Sequence, residues 1–399
     1  SALDIIASRD LAFAWVKDKL RWMLPPDFEI DKDIRRASTL PARVYSDPEY
    51  LELQKDRVFA RSWQWIGDSA RVKAPGRVSP FTLLEGCLNE PLVLTSDDEG
   101  TVRCLSNVCT HRGAIVVEGE GHAKSLRCRY HGRKYGLDGK FVSMPEFDTT
   151  VGFPSEKDNL PKLPLERLGP LLFSGLDPGM PFEEWIGPVR ERVSFMPLDE
   201  FLRDNATSQD YLINANWALY CDNYLEEFHI PYVHAGLAEK LDYSGYRTER
   251  FRYGNLQLGI AKAGEPAFDL PEEHPNAGER VGAFYFWLFP NIMFNFYPWG
   301  LSLNVVTPLS VGRTKVAFHS YVWNSALRES GVGAGLHRVE MEDEEVVESV
   351  QRGVRSRLYD RGRYSERREV GTHHFHELLA DFMSRPLSTN GASPLKPRG

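Results

Sequence analysis

Four side chains of this sequence fall into two short clips, Cys109-Thr-His111 and Cys128-Arg-Tyr-His131, with sixteen residues between them. Each clip can present two donors from one loop tip. Two thiolates and two imidazoles are the ligands of a [2Fe–2S] centre in which one iron carries both cysteines and the other both histidines, and the imidazoles raise its potential above that of an all-cysteine cluster. A zinc site of two cysteines and two histidines accepts the same donors. The single residue inside the first clip argues against zinc, whose finger pairs usually enclose two or more. Cys87 and Cys104 read as small buried hydrophobes.

A second constellation lies in WALYCDNYLEEFHIPYVH, residues 217–234. Read as a helix from Trp217 to His229, this stretch puts Glu226 and His229 on one face at i and i+3, with Asp222 and Asn223 one turn earlier. Pro231 then ends the helix and lets the chain bring His234 beside His229. Two histidines and one carboxylate form the facial triad of a non-haem Fe(II) centre, which leaves positions open for O2 and substrate.

The carboxylate must come from elsewhere, and MEDEEVVESVQRGV (341–354) is the best source. On a helix, Asp343 shares a face with Val346, Val347, Val350 and Val354, so it is directed toward the core while Glu342, Glu344 and Glu345 point elsewhere. Glu344 and Glu348 remain the alternatives. Three further histidines, His373, His374 and His376, could bind a metal, but at the start of an amphipathic helix they are more often surface or packed residues.

The elements around these motifs give an α+β chain. Residues 1–44 hold an N-terminal helix over 10–24, stopped by Pro25 and Pro26, and a linker. Residues 45–178 show short β-rich runs broken by Gly, Asp and Asn, with Asp138-Gly139 as a hairpin signal, and so form an all-β domain. Residues 179–399 mix helices (185–193, 217–229, 338–358, 371–383) with strands (282–296, 301–307, 314–323), an α+β domain with a helix-covered antiparallel sheet. Gly331 to Gly335 reads as a loop before the long helix.

Composition narrows the partners. With 48 basic and 56 acidic residues the net charge is −8, which speaks against nucleic acid. The most apolar run, 281–294, is shorter than the roughly 20 residues a membrane span needs. Five cysteines are too few and oddly numbered for a disulfide framework, and no basic-then-apolar leader follows Ser1; the expectation is a cytoplasmic protein.

The stretches SNVCTHRGA (106–114) and CRYHGRKYGLDG (128–139), with the four-ligand spacing, resemble the Rieske non-haem iron oxygenases. Arg129 stands where that family usually has proline, and Arg133 where a tryptophan is common. The family's catalytic domain carries an acid three residues before the first iron histidine, a second histidine five residues later and an aspartate far downstream. Glu226, His229, His234 and Asp343 match in that order. The resemblance implies that Glu226 links the Rieske histidine His131 of one subunit to His229 of the next, in a head-to-tail ring that is a homotrimer.

It also implies a terminal oxygenase subunit with a Rieske [2Fe–2S] domain and a mononuclear Fe(II) domain. Electrons would come from a separate NAD(P)H-dependent flavin and iron–sulfur reductase, since no dinucleotide fingerprint is present here. The segment DNYLEEFHIPYVHAGL and the late HHFHELL look closest to the quaternary-ammonium branch, which includes choline monooxygenase and the betaine demethylases. A small cation is therefore the expected substrate, and aromatic faces attract ammonium groups. In FYFWLFPNIMFNFYPW (284–299) strand alternation puts Tyr285, Trp287 and Phe289 on one face, a candidate pocket wall whose alternative is plain core. An aromatic-ring hydroxylating oxygenase, with an arginine near its pocket, is the rival reading. A Rieske electron carrier without the mononuclear iron or oxygenase activity is the remote one.

Overall fold

The structure, a computed structural model, describes residues 28–385. The helix expected over 10–24 lies outside the described residues. No helix among the described residues is long and apolar enough to cross a membrane.

The cluster motifs sit among small antiparallel sheets. One has five strands, in the order Gly121–His122, Arg77–Leu83, Glu90–Ser96, Val102–Ser106 and Lys162–Leu163. A second has three, Leu126–Arg127, Lys134–Tyr135 and Phe141–Ser143. Asp138-Gly139 falls in the turn before the last of these strands. Val93, Leu105, Leu126, Tyr135 and Leu160 form the core between the two sheets.

The larger sheet has seven antiparallel strands, in the order Leu202–Ile213, Arg313–Val322, Gly300–Ser310, Ile292–Tyr297, Val281–Leu288, Gly254–Ile260 and Arg247–Phe251. Its middle strands are apolar on both faces, as expected where both faces are covered. The run read as one strand over 282–296 is two, joined at Phe289-Pro290-Asn291, where proline can donate no ladder hydrogen bond. One face packs against the C-terminal helix Val370–Ser384, whose Phe375 meets the Trp287 ring at 5.1 Å while Phe382 meets Phe289 at 4.6 Å. The other face takes Phe173 and Trp185 of neighbouring elements.

Two regions were not foreseen. The strand Leu202–Ile213 is mostly polar and exposed, so it carries no apolar alternation to read. Residues 42–59 form short helical segments that join the catalytic elements: Tyr45 donates to Asp222 at 2.8 Å, and Gln54 accepts from the Trp217 indole at 2.8 Å. The strand Gln64–Asp68 ties the two halves together, with Gln64 donating to Asn291 at 3.0 Å and Tyr321 to Asp68 at 2.5 Å.

Candidate metal centres and substrate cavity

Cys109 and His111 lie in the loop after the strand Val102–Ser106, and Cys128 and His131 lie in the turn between Leu126–Arg127 and Lys134–Tyr135. Both loops close in the same way. The N–H of Gly113 donates to the Cys109 carbonyl at 3.0 Å and that of Gly132 to the Cys128 carbonyl at 3.1 Å. Both glycines have φ near +75°, a conformation that costs a side-chain-bearing residue energy. The loop tips face each other, with the His111 and His131 rings 4.8 Å apart. Both thiols are buried, and His131 Nδ1 is buried without any hydrogen-bond partner. A buried ring nitrogen without a partner is costly, so a metal bond at that atom accounts for it, and the four donors fit a [2Fe–2S] cluster.

The second constellation comes together differently from its helical reading. The helix Trp217–Tyr224, capped by Asn216, stops before Glu226. Glu226 instead turns on His229, accepting from its backbone N–H at 3.1 Å and meeting its Nδ1 at 2.6 Å, a local bond that competes with helix continuation. Pro231 does not end a helix either. It opens the short helix Ile230–Val233, where a proline lacks nothing, and His229 and His234 flank that turn. Their rings lie 5.0 Å apart.

Asp343 reaches both rings, at 3.5 Å from His229 Nε2 and 3.0 Å from His234 Nε2. Donor atoms of the three residues lie within 4.8 Å of one another. Asn223 Nδ2 donates to the same Asp343 oxygen at 2.6 Å. Glu342 was expected to point away, but its carboxylate meets His234 Nδ1 at 2.8 Å. Each imidazole thus has its Nδ1 held by a carboxylate, which fixes the proton there and leaves Nε2 free to bind metal.

Burial opposes protonation of His234, yet its bonds to Asp343 and Glu342 outweigh burial and raise its pKa. Three carboxylates about two imidazoles make a site that gains from a cation, which fits a divalent iron. Replacing Glu342 with Gln should weaken iron binding about 10- to 100-fold, as seen for outer partners of metal histidines. Competition with a chelator measures it, and unchanged affinity would mean that another group orients His234.

The buried face of the helix Leu336–Gly353 is also rotated from the expected valine stripe. Val350 is exposed and Glu340, Val347 and Gln351 are buried. The polar members are paired, Glu340 accepting from the Tyr220 hydroxyl at 2.7 Å and Gln351 from the Asn216 N–H at 2.7 Å. Burial holds the Glu340 carboxyl well above its usual range, against the Tyr220 hydrogen bond that lowers it.

A cavity of about 110 Å³ opens onto His229, His234 and Asp343. Its wall includes five tyrosines, 220, 224, 246, 285 and 297, together with Phe318 and Glu340, and no lysine or arginine among the described residues. Tyr285 stacks on Tyr246 at 6.5 Å and meets Tyr297 edge-on at 5.9 Å. Trp287 and Phe289, expected beside Tyr285, do not reach the cavity. Two residues along a strand is nearly 7 Å, enough to carry them under the C-terminal helix and into the core. The histidine triplet is packed: His373 meets the Asp31 carbonyl, His374 the Asn255 amide and His376 the Asp222 carboxylate.

Family comparison agrees with both centres. Residues 62–162 match the Rieske [2Fe-2S] domain, and residues 198–385 match the catalytic domain of the ring hydroxylating alpha subunit. The chain belongs to the Rieske non-haem iron oxygenases, as a catalytic α subunit with a Rieske cluster and a mononuclear iron. Within that class it is 33% identical to the chloroplastic choline monooxygenase of Arabidopsis thaliana, over 89% of this chain and 85% of the relative. It is 29% identical to the carnitine monooxygenase oxygenase subunit of Escherichia coli K12, over 90% and 98%. In fold it resembles a quaternary ammonium Rieske monooxygenase, with TM-score 0.71 and 23% identity over 90% of this chain and 99% of that one. It also resembles the naphthalene 1,2-dioxygenase of a Rhodococcus species, with TM-score 0.64 and 19% identity over 87% and 94%.

Proposed function

We propose that this chain is the terminal oxygenase of a reductase-coupled system that hydroxylates or oxidatively N-demethylates a small quaternary ammonium compound. The observation that carries the reading is the cavity wall, rich in tyrosine and, among the described residues, without lysine or arginine. Tyrosine faces attract an alkylated ammonium group, whereas a benzoate-like acid would need a cation to meet its carboxylate. Choline and carnitine monooxygenases among the relatives support the same substrate class.

In this reading Cys109, His111, Cys128 and His131 hold the cluster, and His229, His234 and Asp343 hold the iron. Iron bound there, fed with electrons from the cluster, supplies the activation of O2. The protein residues position and insulate. Glu226 and Glu342 fix the two imidazoles, and Asn223 orients the Asp343 carboxylate. Burial raises the phenol pKa values of Tyr220, Tyr224, Tyr246 and Tyr297, so these phenols stay uncharged and a cation meets their ring faces rather than phenolates. Glu226 has a second role, as the bridge from His229 to His131 of a neighbouring copy, which calls for a homotrimeric ring. The chain divides near residue 178 into the cluster domain (45–178, of which the helical residues 45–59 reach the catalytic elements) and the catalytic domain (179–399), and its five buried cysteines, none in a disulfide, suit a reducing, cytoplasmic compartment.

The test is NADH and O2 consumption with an added flavin and iron–sulfur reductase, across choline, carnitine, glycine betaine and simple aromatic acids. Aldehyde release or hydroxylation with a quaternary amine is expected. Product from aromatic acids alone would refute the reading.

A further inference from the structure

Arg133 is an unusual residue to find beside an iron–sulfur cluster. Its side chain is 2% exposed, although the chain of the clip around it lies at the surface and its neighbours Arg129 and Tyr130 are exposed. A buried guanidinium is costly unless it is paired and hydrogen-bonded. Here it is held in three ways. Nη2 donates to the Asp158 carboxylate at 2.9 Å, Nη1 donates to Thr110 Oγ1 at 2.7 Å, and the rings of Phe141, Phe147 and Phe153 lie 5.3, 6.0 and 5.1 Å from the guanidinium carbon.

Thr110 lies between the two ligands of the first clip, and its contacts lead on to the sulfur. Thr110 Oγ1 is 3.0 Å from the Tyr135 hydroxyl, and that hydroxyl is 3.2 Å from Cys109 Sγ. The direction of the chain is set at both ends. A guanidinium has only donors and an iron-bound thiolate only accepts, so Tyr135 gives its proton to Cys109 and Thr110 takes one from Arg133. The Tyr135 oxygen is then left to accept from the Thr110 N–H at 3.1 Å. The Thr110 hydroxyl proton has two acceptors, that same phenol oxygen and the Asp158 carbonyl at 2.8 Å.

We infer that Arg133 raises the reduction potential of the cluster, acting through Thr110 and Tyr135 on the Cys109 sulfur. Reduction adds one negative charge to the cluster. Positive charge nearby and hydrogen bonds to its sulfurs favour the reduced state. A donor polarised by a buried cation is stronger than the same donor alone, and the phenylalanine shell keeps water from screening it. Asp158 opposes the effect but does not cancel it, because it pairs with Nη2 and leaves Nη1 to donate to Thr110. Arg133 is thus a positioning and tuning residue, with no contact to substrate.

The inference rests on the cluster assignment and not on the substrate, so failure of the quaternary-ammonium reading leaves it standing. The experiment is a redox titration of the purified holoenzyme, following the electron paramagnetic resonance signal of the reduced cluster. Arg133→Gln should lower the midpoint potential by an amount equal to at least a tenfold change in the reduction equilibrium, about 59 mV for a one-electron couple. Arg133→Lys should restore part of it. Tyr135→Phe should lower the potential by itself, and the double variant Arg133→Gln/Tyr135→Phe should fall short of the sum of the two, because the chain is then broken twice.

A parent-like potential in Arg133→Gln with the cluster intact would overturn the inference, and strict additivity in the double variant would overturn the route through Tyr135. Should Arg133→Gln fail to hold its cluster, the isosteric Thr110→Val interrupts the same chain while leaving the Arg133–Asp158 pair in place. It should lower the potential as well, and an unchanged value there would equally refute the role.

Discussion

Asp343→Ala should lose one iron per chain and all coupled turnover, while the cluster keeps its two irons and its visible spectrum. The expectation follows from where Asp343 stands. It is the carboxylate that reaches both imidazoles, at 3.5 Å and 3.0 Å, and no second acid among the described residues shares that position. Glu342 is committed to His234 Nδ1, Glu348 to Asn214 and Glu340 to Tyr220. Two neutral imidazoles without a carboxylate hold ferrous iron poorly, since hard oxygen ligands suit that ion. Iron and acid-labile sulfide analysis measures the outcome. Full iron content in this variant would move the ligand to another acid, with Glu344 first because its Oε1 is buried without a partner.

Glu226→Gln is the second large effect, and it differs in kind. Its carboxylate touches His229 twice, through Nδ1 at 2.6 Å and through the backbone N–H at 3.1 Å. A glutamine of the same shape can keep the second contact and part of the first, so both centres should assemble with full iron. The charge that would join His229 to His131 of the next copy is gone. Reduction of the cluster by the reductase should proceed as before, while substrate-dependent reoxidation of the cluster slows about 100-fold or more, a loss of the size expected from a misplaced reacting group. Stopped-flow absorbance separates the two steps. Normal reoxidation would show that Glu226 serves His229 alone.

Legibility in the sequence followed how local each signal was. The Cys-x-His and Cys-x-x-His clips could be read because ligand, loop and glycine lie within five residues of one another. The meeting of His229 and His234 could be read from type and spacing, although the assumed geometry differed: Glu226 and His229 meet in a turn beyond the helix, not on its face, because a carboxylate that satisfies the His229 N–H replaces the helical bond. Glu342 was missed since its role depends on His234, 108 residues away in sequence. The buried face of the acidic helix was misjudged for a related reason. Valine signals burial and glutamate exposure, but Glu340 and Gln351 are buried with partners while Val350 faces solvent. Alternation puts Tyr285 and Trp287 on one face of the strand Val281–Leu288, with Phe289 just past its end, yet only position along the strand decides which of them meets the cavity.

The most direct test of the central claim is anomalous diffraction at the iron edge from crystals of the iron-loaded protein grown with choline. One peak should be bounded by Nε2 of His229, Nε2 of His234 and the Asp343 carboxylate, a pair of peaks should lie between the two cysteine–histidine loops, and the ammonium head of choline should rest against Tyr246, Tyr285 and Tyr297. Iron at the His373–His376 cluster, or no iron beside His229 and His234, would contradict it.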